Sequence, residues 1–531
     1  MSLSPGVEVR EEDRTLQINN IVTNATGFVG MFRWGPVEEV TTITTNESEL
    51  LQKLGRPDTN TTLYFHSALN YLLYTNPLLI VRVAGDLATN AIPEIQDVDA
   101  PLIKNDQAYE SFNFEYDSIP FVARFPGELG NSIAVYAADN VGFSSWEYNS
   151  GFQYEPSAGE FAMVVVDRDG FITGNAGTVL ERYELLSKDS GAKRPDGTSA
   201  YIRKVLQDQS NWVLSGDLTA IVFDAGKYEV ELQGGVDDNV VANADFEAGW
   251  DVFLNAETVD IVRVFTSGNN AAGIARAIDN MNTRQDAVAF AAPQLQDVHN
   301  AVDPHINVAS FFNTTVNKAT SYEFYVDNWK LVYDKYMDRN IWIPTDSDAA
   351  ALHARTFAQN EPWFSPAGLN RGQLKNVIRL AWNANKAQRD YMYKRSVNSI
   401  VSFPGEGTVL FGDKTGLARP SAFDRINVRT LFIVLKKNIA RAARYQLFEI
   451  NDFITRGIFR NTVGQYLTNV QARRGLYDFR VVCDESNNTP QVIDANEFAG
   501  DIYLKPARTI SNIKLTFIAV ATNVQFEEVE G

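Results

Sequence analysis

The sequence predicts a multidomain protein that combines α/β and α+β architecture. At 531 residues the chain is too long for one ordinary hydrophobic core, so about two to four domains are expected. A pattern of strand, helix and strand between residues 259 and 291 indicates an α/β domain. From Val397 to Gly531 the pattern changes to amphipathic helices followed by strands, which indicates an α+β domain.

Residues 1–20 are predicted to form an extended N-terminal arm. Val7 and Val9 alternate with polar neighbours and the next residues are mostly charged, so this segment can bury little surface by itself. Two interpretations stay open, a frayed terminus or a strand that pairs with a neighbouring molecule. The second would place Val7, Glu8, Val9 and Arg10 in an interface.

The glycines of Thr23–Gly30 are spaced somewhat like the phosphate-binding turn of a dinucleotide fold. Asn24 stands where the first glycine of that turn is needed. Gly35-Pro36 follows so soon that no helix can begin there to hold a pyrophosphate at its N-terminus. We therefore exclude dinucleotide binding at this stretch.

The middle α/β domain is assigned to residues 21–90 and 156–350. Asn46, followed three residues later by a glutamate, is typical of a helix N-terminus. An aromatic-rich helix is predicted at Tyr64–Tyr74, and Leu78–Val83 reads as a buried strand.

Later in the same domain, Val259–Phe265 and Asp286–Ala291 are predicted as strands on either side of a helix at residues 270–283. Such a unit is expected to be parallel, with a right-handed crossover. The helix has one apolar side, formed by Ile274, Ala277, Ile278 and Met281.

A small β domain is predicted as an insertion at residues 91–155. Short β-prone runs there alternate with turn residues such as those of Phe125–Asn131. Just beyond it, Phe161–Val166 and Phe171–Thr173 are predicted to pair as a hairpin.

The C-terminal domain is assigned to residues 351–531. A first helix is predicted at Asn427–Phe448, and a second at Thr462–Arg474 that ends with a left-handed cap at Gly475. The first helix carries an apolar side (Leu431, Leu435, Ile439, Ala442) and an opposite cationic side (Lys437, Arg441, Arg444).

Three strands are predicted after these helices, at Tyr477–Cys483, Asp501–Lys505 and Ile510–Ala521, before an acidic tip at Glu527–Glu530. A long terminal strand leaves backbone donors and acceptors unpaired unless another strand adds to it. It either belongs to its own sheet or leads into an arm that pairs with another molecule, and the sequence leaves both possibilities open.

The net charge of −19 argues against a general nucleic-acid binder, which needs a basic surface. Residues 421–480 are an exception, with eleven Lys or Arg against four Asp or Glu. This local excess indicates either a solvated helix surface or a surface for an acidic partner.

Cys483 is the single cysteine, and we expect it to be a buried small apolar side chain in a reducing cytoplasm. No signal peptide is recognised at the N-terminus, and no apolar run approaches the roughly 20 residues that span a bilayer. We therefore expect a soluble protein made inside a cell.

No stretch of the sequence predicts catalysis. The four histidines are scattered, no metal-binding or nucleophile motif is present, and each histidine is expected to be structural. The acidic pairs Asp237-Asp238 and Asp346 with Asp348 suit a cation, but they equally suit turns.

Several stretches form a recognisable series along the chain: Ser4–Val9, Trp342–Pro344, Ala354–Thr356, Pro362–Gly372, Val397–Ile400, Gly405–Thr415, Arg425–Leu431, Phe448–Asn451, Tyr477–Asp484 and Pro506–Ile510. Taken in this order, they resemble contractile phage tail sheath proteins.

The resemblance implies a structural subunit that is not an enzyme and has no cofactor or metal. Such subunits polymerise as hexameric rings around an inner tail tube, between baseplate and tail terminator proteins, without inserting into a membrane or contacting nucleic acid directly. The polymer assembles in the host cytoplasm, joins the virion, and contracts to drive the tube through the cell envelope.

The resemblance also implies a role for each part of the chain. A tube-proximal α+β domain would be built from both termini, and the inserted domain would lie outward. Interface arms would include Val7, Glu8, Val9, Arg10, Val524 and Phe526, whereas Lys437, Arg441 and Arg444 would face the tube. The alternatives are the sheath of a related device, such as a bacteriocin or secretion system, and an enzyme with an α/β core.

Overall fold

The computed structural model describes residues 24–114 and 118–510. Its three largest hydrophobic clusters define a central body, a β body and a C-terminal body. The predicted N-terminal arm and nearly all of the predicted last strand lie outside the described residues. The same holds for the predicted arm residues Val7, Glu8, Val9, Arg10, Val524 and Phe526.

The middle of the central body is an eight-stranded sheet. Along the chain its strands are β1 (Thr26–Met31), β2 (Val40–Ile43), β3 (Leu78–Val83), β10 (Arg263–Phe265), β11 (Val288–Ala291), β12 (Glu323–Val326), β16 (Val397–Phe403) and β17 (Gly407–Phe411). They lie side by side in the order β17-β16-β12-β11-β10-β1-β3-β2. All neighbours are parallel except the two edge strands, as expected for an α/β sheet covered on both faces.

Helices cover both faces of this sheet. Gly30 of β1 faces Tyr64 in α2 (Thr62–Leu72), whereas the next residue toward the N-terminus, Val29, faces Gly249 in α5 (Asn243–Asp251). The body is completed by α1 (Glu47–Leu54), α6 (Ala271–Arg284), α7 (Leu295–Val298), α8 (Pro304–Ser310), α9 (Asp346–Gln359), α10 (Lys386–Tyr393) and a small antiparallel sheet of β13 (Trp329–Asp334), β14 (Arg339–Pro344) and β15 (Arg379–Leu380).

Gly27 and Gly30, whose spacing resembles the phosphate-binding turn of a dinucleotide fold, lie inside strand β1. A Cβ atom on Gly27 would lie 3.0 Å from the ring of Phe253, and one on Gly30 would lie 2.7 Å from Cδ1 of Tyr64. These positions therefore need glycine because aromatic side chains pack directly onto the strand.

The predicted strand, helix and strand unit is confirmed, although both strands are shorter than predicted. Helix α6 buries Ile274, Ala277, Ile278 and Met281 as expected. Strands β10 and β11 pair in parallel, but β10 begins at Arg263 rather than at residue 259, and β11 begins at Val288 rather than at residue 286. The predicted helix start is also confirmed, because the side chain of Asn46 accepts a hydrogen bond from the Ser48 amide at 3.0 Å.

The β body contains a four-stranded antiparallel sheet of β5 (Ile133–Asp139), β6 (Glu160–Asp167), β7 (Thr178–Ser187) and β9 (Lys227–Glu231). It also holds the pair β4 (Phe121–Ala123) and β8 (Val213–Ser215), and the helices α3 (Asp106–Ser111) and α4 (Ile202–Gln209). The predicted end of the insertion at residue 155 is therefore wrong. Gly85 N donates to Asp238 O at 3.3 Å, so the inserted segment leaves and rejoins the central body at adjacent points.

The predicted hairpin after Phe161 is only partly right. Strand β6 does turn back, but its partner β7 begins at Thr178 and not at Phe171. The intervening loop wraps around the buried Asp167 carboxylate, which accepts from the amides of Gly170, Ile172 and Thr173. These hydrogen bonds hold residues 170–173 out of the sheet.

The C-terminal body consists of α11 (Ile426–Ala443), α12 (Phe453–Ala472), the short α13 (Pro490–Asp494) and the hairpin of β18 (Leu476–Val482) and β19 (Asp501–Pro506). The predicted domain start at residue 351 is wrong, because it falls inside α9 and because β16 pairs with β12 in the central sheet. The predicted cap is also wrong: Arg474 has the positive φ of 67°. Gly475 is needed instead for contact with Trp363, whose ring would lie 3.0 Å from an added Cβ.

Within residues 24–114 and 118–510, no helix combines the length and apolar character needed to cross a membrane.

Candidate assembly surface

The first half of α11 is fixed to the central body by buried polar contacts. Nε2 of His353 and Oγ1 of Thr430 are 2.8 Å apart, and Nδ1 of His353 accepts from Arg263 at 2.9 Å. Burial first, and then the Arg263 guanidinium, lower the pKa of His353 well below its usual value. The imidazole is therefore neutral and structural, as its isolated position in the sequence predicted.

Lys437 lies at the same interface between the central body and the C-terminal body. Its Nζ lies 2.7 Å from Asp260, 3.1 Å from Asp286 and 2.6 Å from the carbonyl oxygen of Ile261. The three predicted tube-facing cations therefore differ in their surroundings. Lys437 is half-buried against Asp260 and Asp286 of its own chain. Arg441 and Arg444 are exposed near the end of α11.

Between α11 and α12 the chain presents a surface that we call the apolar bend, residues 445–454. Phe448 is 106% exposed and Ile450 is 78% exposed. Phe448 also has a φ of 71°, which is rare for a bulky residue. The other large exposed apolar side chains of the bend are Tyr445, Leu447, Phe453 and Ile454. Six large exposed apolar side chains within ten residues are typical of an interaction site.

The sequence analysis missed the apolar bend because it continued the first helix to Phe448. A usable signal was present: large apolar residues cluster there without the 3.6-residue period of a buried helix face.

The hairpin of β18 and β19 is a second candidate surface. Its inner face packs on α12 through Phe479, Val481, Ile502 and Leu504. Tyr477 and Tyr503 on the outer face are exposed. Among the described residues neither outer edge of this two-stranded sheet has a partner strand. Open edges of this kind are templates for strands from another chain.

The carboxyl end of the parallel strands, where such sheets often bind ligands, is almost closed. A cavity of about 10 Å³ lies there beside Thr266, Ser267 and Asp346, which is about the volume of one water probe. The Asp346 carboxylate accepts from the Thr266 and Ser347 amides, so it stabilises the chain locally.

The remaining candidates from the sequence have structural contacts. His66 pairs with Asp334 at 3.1 Å, His299 packs on Trp342, and His305 packs on Tyr391. Cys483 is buried, as predicted. In the described ranges, no group of three or more His, Cys, Asp or Glu residues is arranged to hold a metal ion.

Comparison with known proteins connects this architecture to one family. Residues 239–416 match the phage tail sheath protein central domain, and residues 418–519 match the phage tail sheath C-terminal domain. The tail sheath protein of Salmonella phage ViI is 34% identical, with 100% of this chain and 98% of the relative covered. The tail sheath protein of Enterobacteria phage T4 is 32% identical, with 100% and 99% covered.

A solved structure agrees at the level of the fold. The helical sheath of the anti-feeding prophage in its contracted state aligns with a TM-score of 0.54 and 12% identity, over 98% of this chain and 99% of that chain. The border between the two matched domains, at residue 417, lies between β17 and α11, where the structure separates the central and C-terminal bodies. The chain thus belongs to the phage tail sheath family, whose members are virion components, and is a subunit of a contractile tail sheath.

Proposed function

We propose that six copies of this subunit form a ring, that rings stack around an inner tail tube, and that the stack contracts to drive the tube through the host envelope. Assembly takes place in the host cytoplasm, between a baseplate and a tail terminator protein. The single observation that carries this proposal is the surface of the C-terminal body, where the apolar bend is exposed and the β18–β19 hairpin has no further partner strand within residues 24–114 and 118–510.

No catalytic step is needed for this function. The work of contraction comes from the difference in subunit packing between two polymer states. Each contact between subunits, or between subunit and tube, must therefore be strong enough to hold the assembled polymer together. It must also be weak enough to break or rearrange during contraction.

The tube contact is assigned to Arg441, Arg444 and the apolar bend. Exposed ion pairs contribute about 1 kcal/mol or less each, and apolar contacts have no fixed direction. Such a surface can hold an acidic tube during assembly and release it when the subunit rotates. The β body lies on the outside of the polymer, away from this surface.

Reversing the two exposed charges (R441E with R444E) is expected to weaken binding to tubes of the same phage about tenfold or more, because attraction becomes repulsion.

Introducing F448D with I450D should also abolish decoration of the tube, with little change in thermal stability because both side chains are exposed. Co-sedimentation with assembled tubes and negative-stain microscopy measure both effects.

Matched controls are available on other parts of the surface. K204E with K386E reverses two exposed lysines outside the C-terminal body. L87D with V302D changes two other exposed apolar residues. Decoration of tubes should survive both controls. If the C-terminal variants decorate tubes as well as the controls do, the tube contact lies elsewhere.

A further variant tests the position of the β body. Residues 86–237 are replaced by a short Gly-Ser linker, since Gly85 and Asp238 are hydrogen-bonded neighbours. Trp34→Gln removes the apolar ring that this deletion uncovers. Polymers of smaller outer diameter are expected by electron microscopy. Loss of polymers from a subunit whose central body still unfolds cooperatively would contradict the outward position.

A further inference from the structure

Three polar side chains meet in the interior of the central body, where α2, β13 and α9 come together. Asn70 lies on α2, Lys330 on β13 and Asp348 on α9. Asn70 is 2% exposed, and the side chains of Lys330 and Asp348 are both 0% exposed. An amine, a primary amide and a carboxyl group are therefore enclosed together, away from bulk water.

The lysine contacts both of the other groups. Nζ of Lys330 donates to Oδ1 of Asn70 at 2.7 Å and to Oδ1 of Asp348 at 2.9 Å. Since a carbonyl bond is about 1.2 Å long, Nζ lies no more than about 4 Å from Cγ of Asn70, the amide carbon. Reacting atoms in a near-attack geometry are about 3–3.5 Å apart. A small rotation of the lysine side chain therefore brings its amine onto this carbon.

Neighbouring side chains orient the amide and the carboxyl group. Nδ2 of Asn70 donates to Oγ of Ser347 at 3.0 Å, which turns Oδ1 toward the lysine. The hydroxyl of Tyr74 donates to Oδ1 of Asp348 at 2.7 Å. Within the described part of the chain, Oδ2 of Asp348 is buried without a hydrogen-bond partner. This oxygen is therefore available to accept a proton.

The surroundings also favour the nucleophilic form of the lysine. Burial lowers the pKa of Lys330, and the Asp348 carboxylate acts in the opposite direction. A desolvated lysine loses its proton more readily, and the neutral amine is the form that attacks carbonyl carbons. Transfer of a proton from Nζ to Asp348 produces that amine without leaving a charge behind.

We propose that Lys330 forms an isopeptide bond with Asn70 of the same chain, and that Asp348 moves the protons. Nζ attacks Cγ of Asn70, and the new bond between Nζ and Cγ replaces the bond between Cγ and Nδ2. The lysine gives up two protons. One passes through Asp348 to Nδ2, which leaves as ammonia, and the other remains on Asp348. No oxidant, metal or cofactor is consumed. Until the bond forms, Lys330 and Asp348 are a buried ion pair.

The bond fastens together two parts of the central body that are distant in sequence. Asn70 and Lys330 are 260 positions apart, and the inserted β body lies between them in the chain. A covalent link that closes a long loop restricts the unfolded chain and so resists unfolding. This inference goes beyond the proposed polymer and does not depend on it, since the reaction takes place within one subunit.

The mass of the full-length protein tests the proposal directly. The natural protein should be lighter than its calculated mass by about 17 Da, the mass of ammonia, and a tryptic digest should contain the Asn70 and Lys330 peptides joined together. N70A removes the reacting amide and should have its full calculated mass. K335M changes an exposed lysine of the same hairpin and should keep the loss.

Two other masses would overturn the proposal. A natural protein of full calculated mass would mean that the three groups are only a buried polar cluster. A loss of about 18 Da, the mass of water, with Lys330 joined to Asp348 would mean that the carboxyl group is the one that reacts. Polymers that form around tubes from a protein of full mass would leave the proposed function intact.

The role of Asp348 is measured as a rate. The full-length chain is made by cell-free synthesis, samples are quenched in acid at intervals, and the fraction that has lost ammonia is followed by mass. D348N should slow this loss about a hundredfold or more, because it removes the group that transfers the protons. D348E keeps a carboxyl group and should restore part of the rate. If folded D348N reacts as fast as the natural protein, Asp348 does not transfer the protons.

Discussion

Deletion of residues 1–16 is expected to leave a folded monomer that forms no tubular polymer. The reason is that we propose the N-terminal arm as a strand added to the β18–β19 hairpin of a neighbouring subunit, whose outer edges have no partner strand among the described residues. Backbone hydrogen bonds of an added strand can persist while two subunits rotate, which suits a device with two packing states. Negative-stain microscopy and analytical ultracentrifugation measure the outcome.

A pair of variants tests specifically whether the backbone amides of the N-terminal arm are needed. V7P with V9P removes amide donors that an added strand needs, whereas V7T with V9T keeps them and retains β propensity. The proline variant should behave like the deletion, and the threonine variant like the natural protein. If the chain without residues 1–16 forms tubular polymers of normal length, the N-terminal arm does not connect neighbouring subunits.

The buried pair of Lys330 and Asp348 is expected to give a large stability effect. Nζ of Lys330 lies 2.9 Å from Asp348, and also contacts Asn70 at 2.7 Å and the Lys375 carbonyl at 2.8 Å. Both side chains of the pair are 0% exposed. Burial lowers the pKa of Lys330, and the carboxylate of Asp348 acts in the opposite direction.

K330M should lower the stability of the central body by about 3–5 kcal/mol, because it leaves a carboxylate buried without its cation. The urea midpoint, followed by tryptophan fluorescence, measures this loss. The double variant K330M/D348N should recover a large part of it, since no unpaired charge remains. The control K335M removes an exposed lysine paired with Glu47 and should cost about 1 kcal/mol or less. An equally small loss for K330M would mean that water or another cation compensates Asp348.

Local elements were well predicted wherever short-range chemistry decides them. The Asn46 cap, the strand at Leu78–Val83 and the buried side of α6 depend on neighbours within a few residues. The family was also visible in the sequence, because its motifs keep their order along the chain.

The domain borders could not be predicted because they depend on distant pairing. Strand β16 joins the central sheet through β12, some 70 residues earlier, and β9 closes the sheet of the β body far beyond residue 155. Strand partners separated by so much chain leave no local pattern.

The sequence by itself determined the kind of protein, its main helices and strands, and the cationic character of the C-terminal body. Only the tertiary structure decided which charges and apolar groups remain available to partners. Lys437 pairs with Asp260 and Asp286, whereas the large apolar side chains of the apolar bend are exposed. Burial and ion pairing are set by segments that meet only after folding, so a linear pattern of residue types does not contain them.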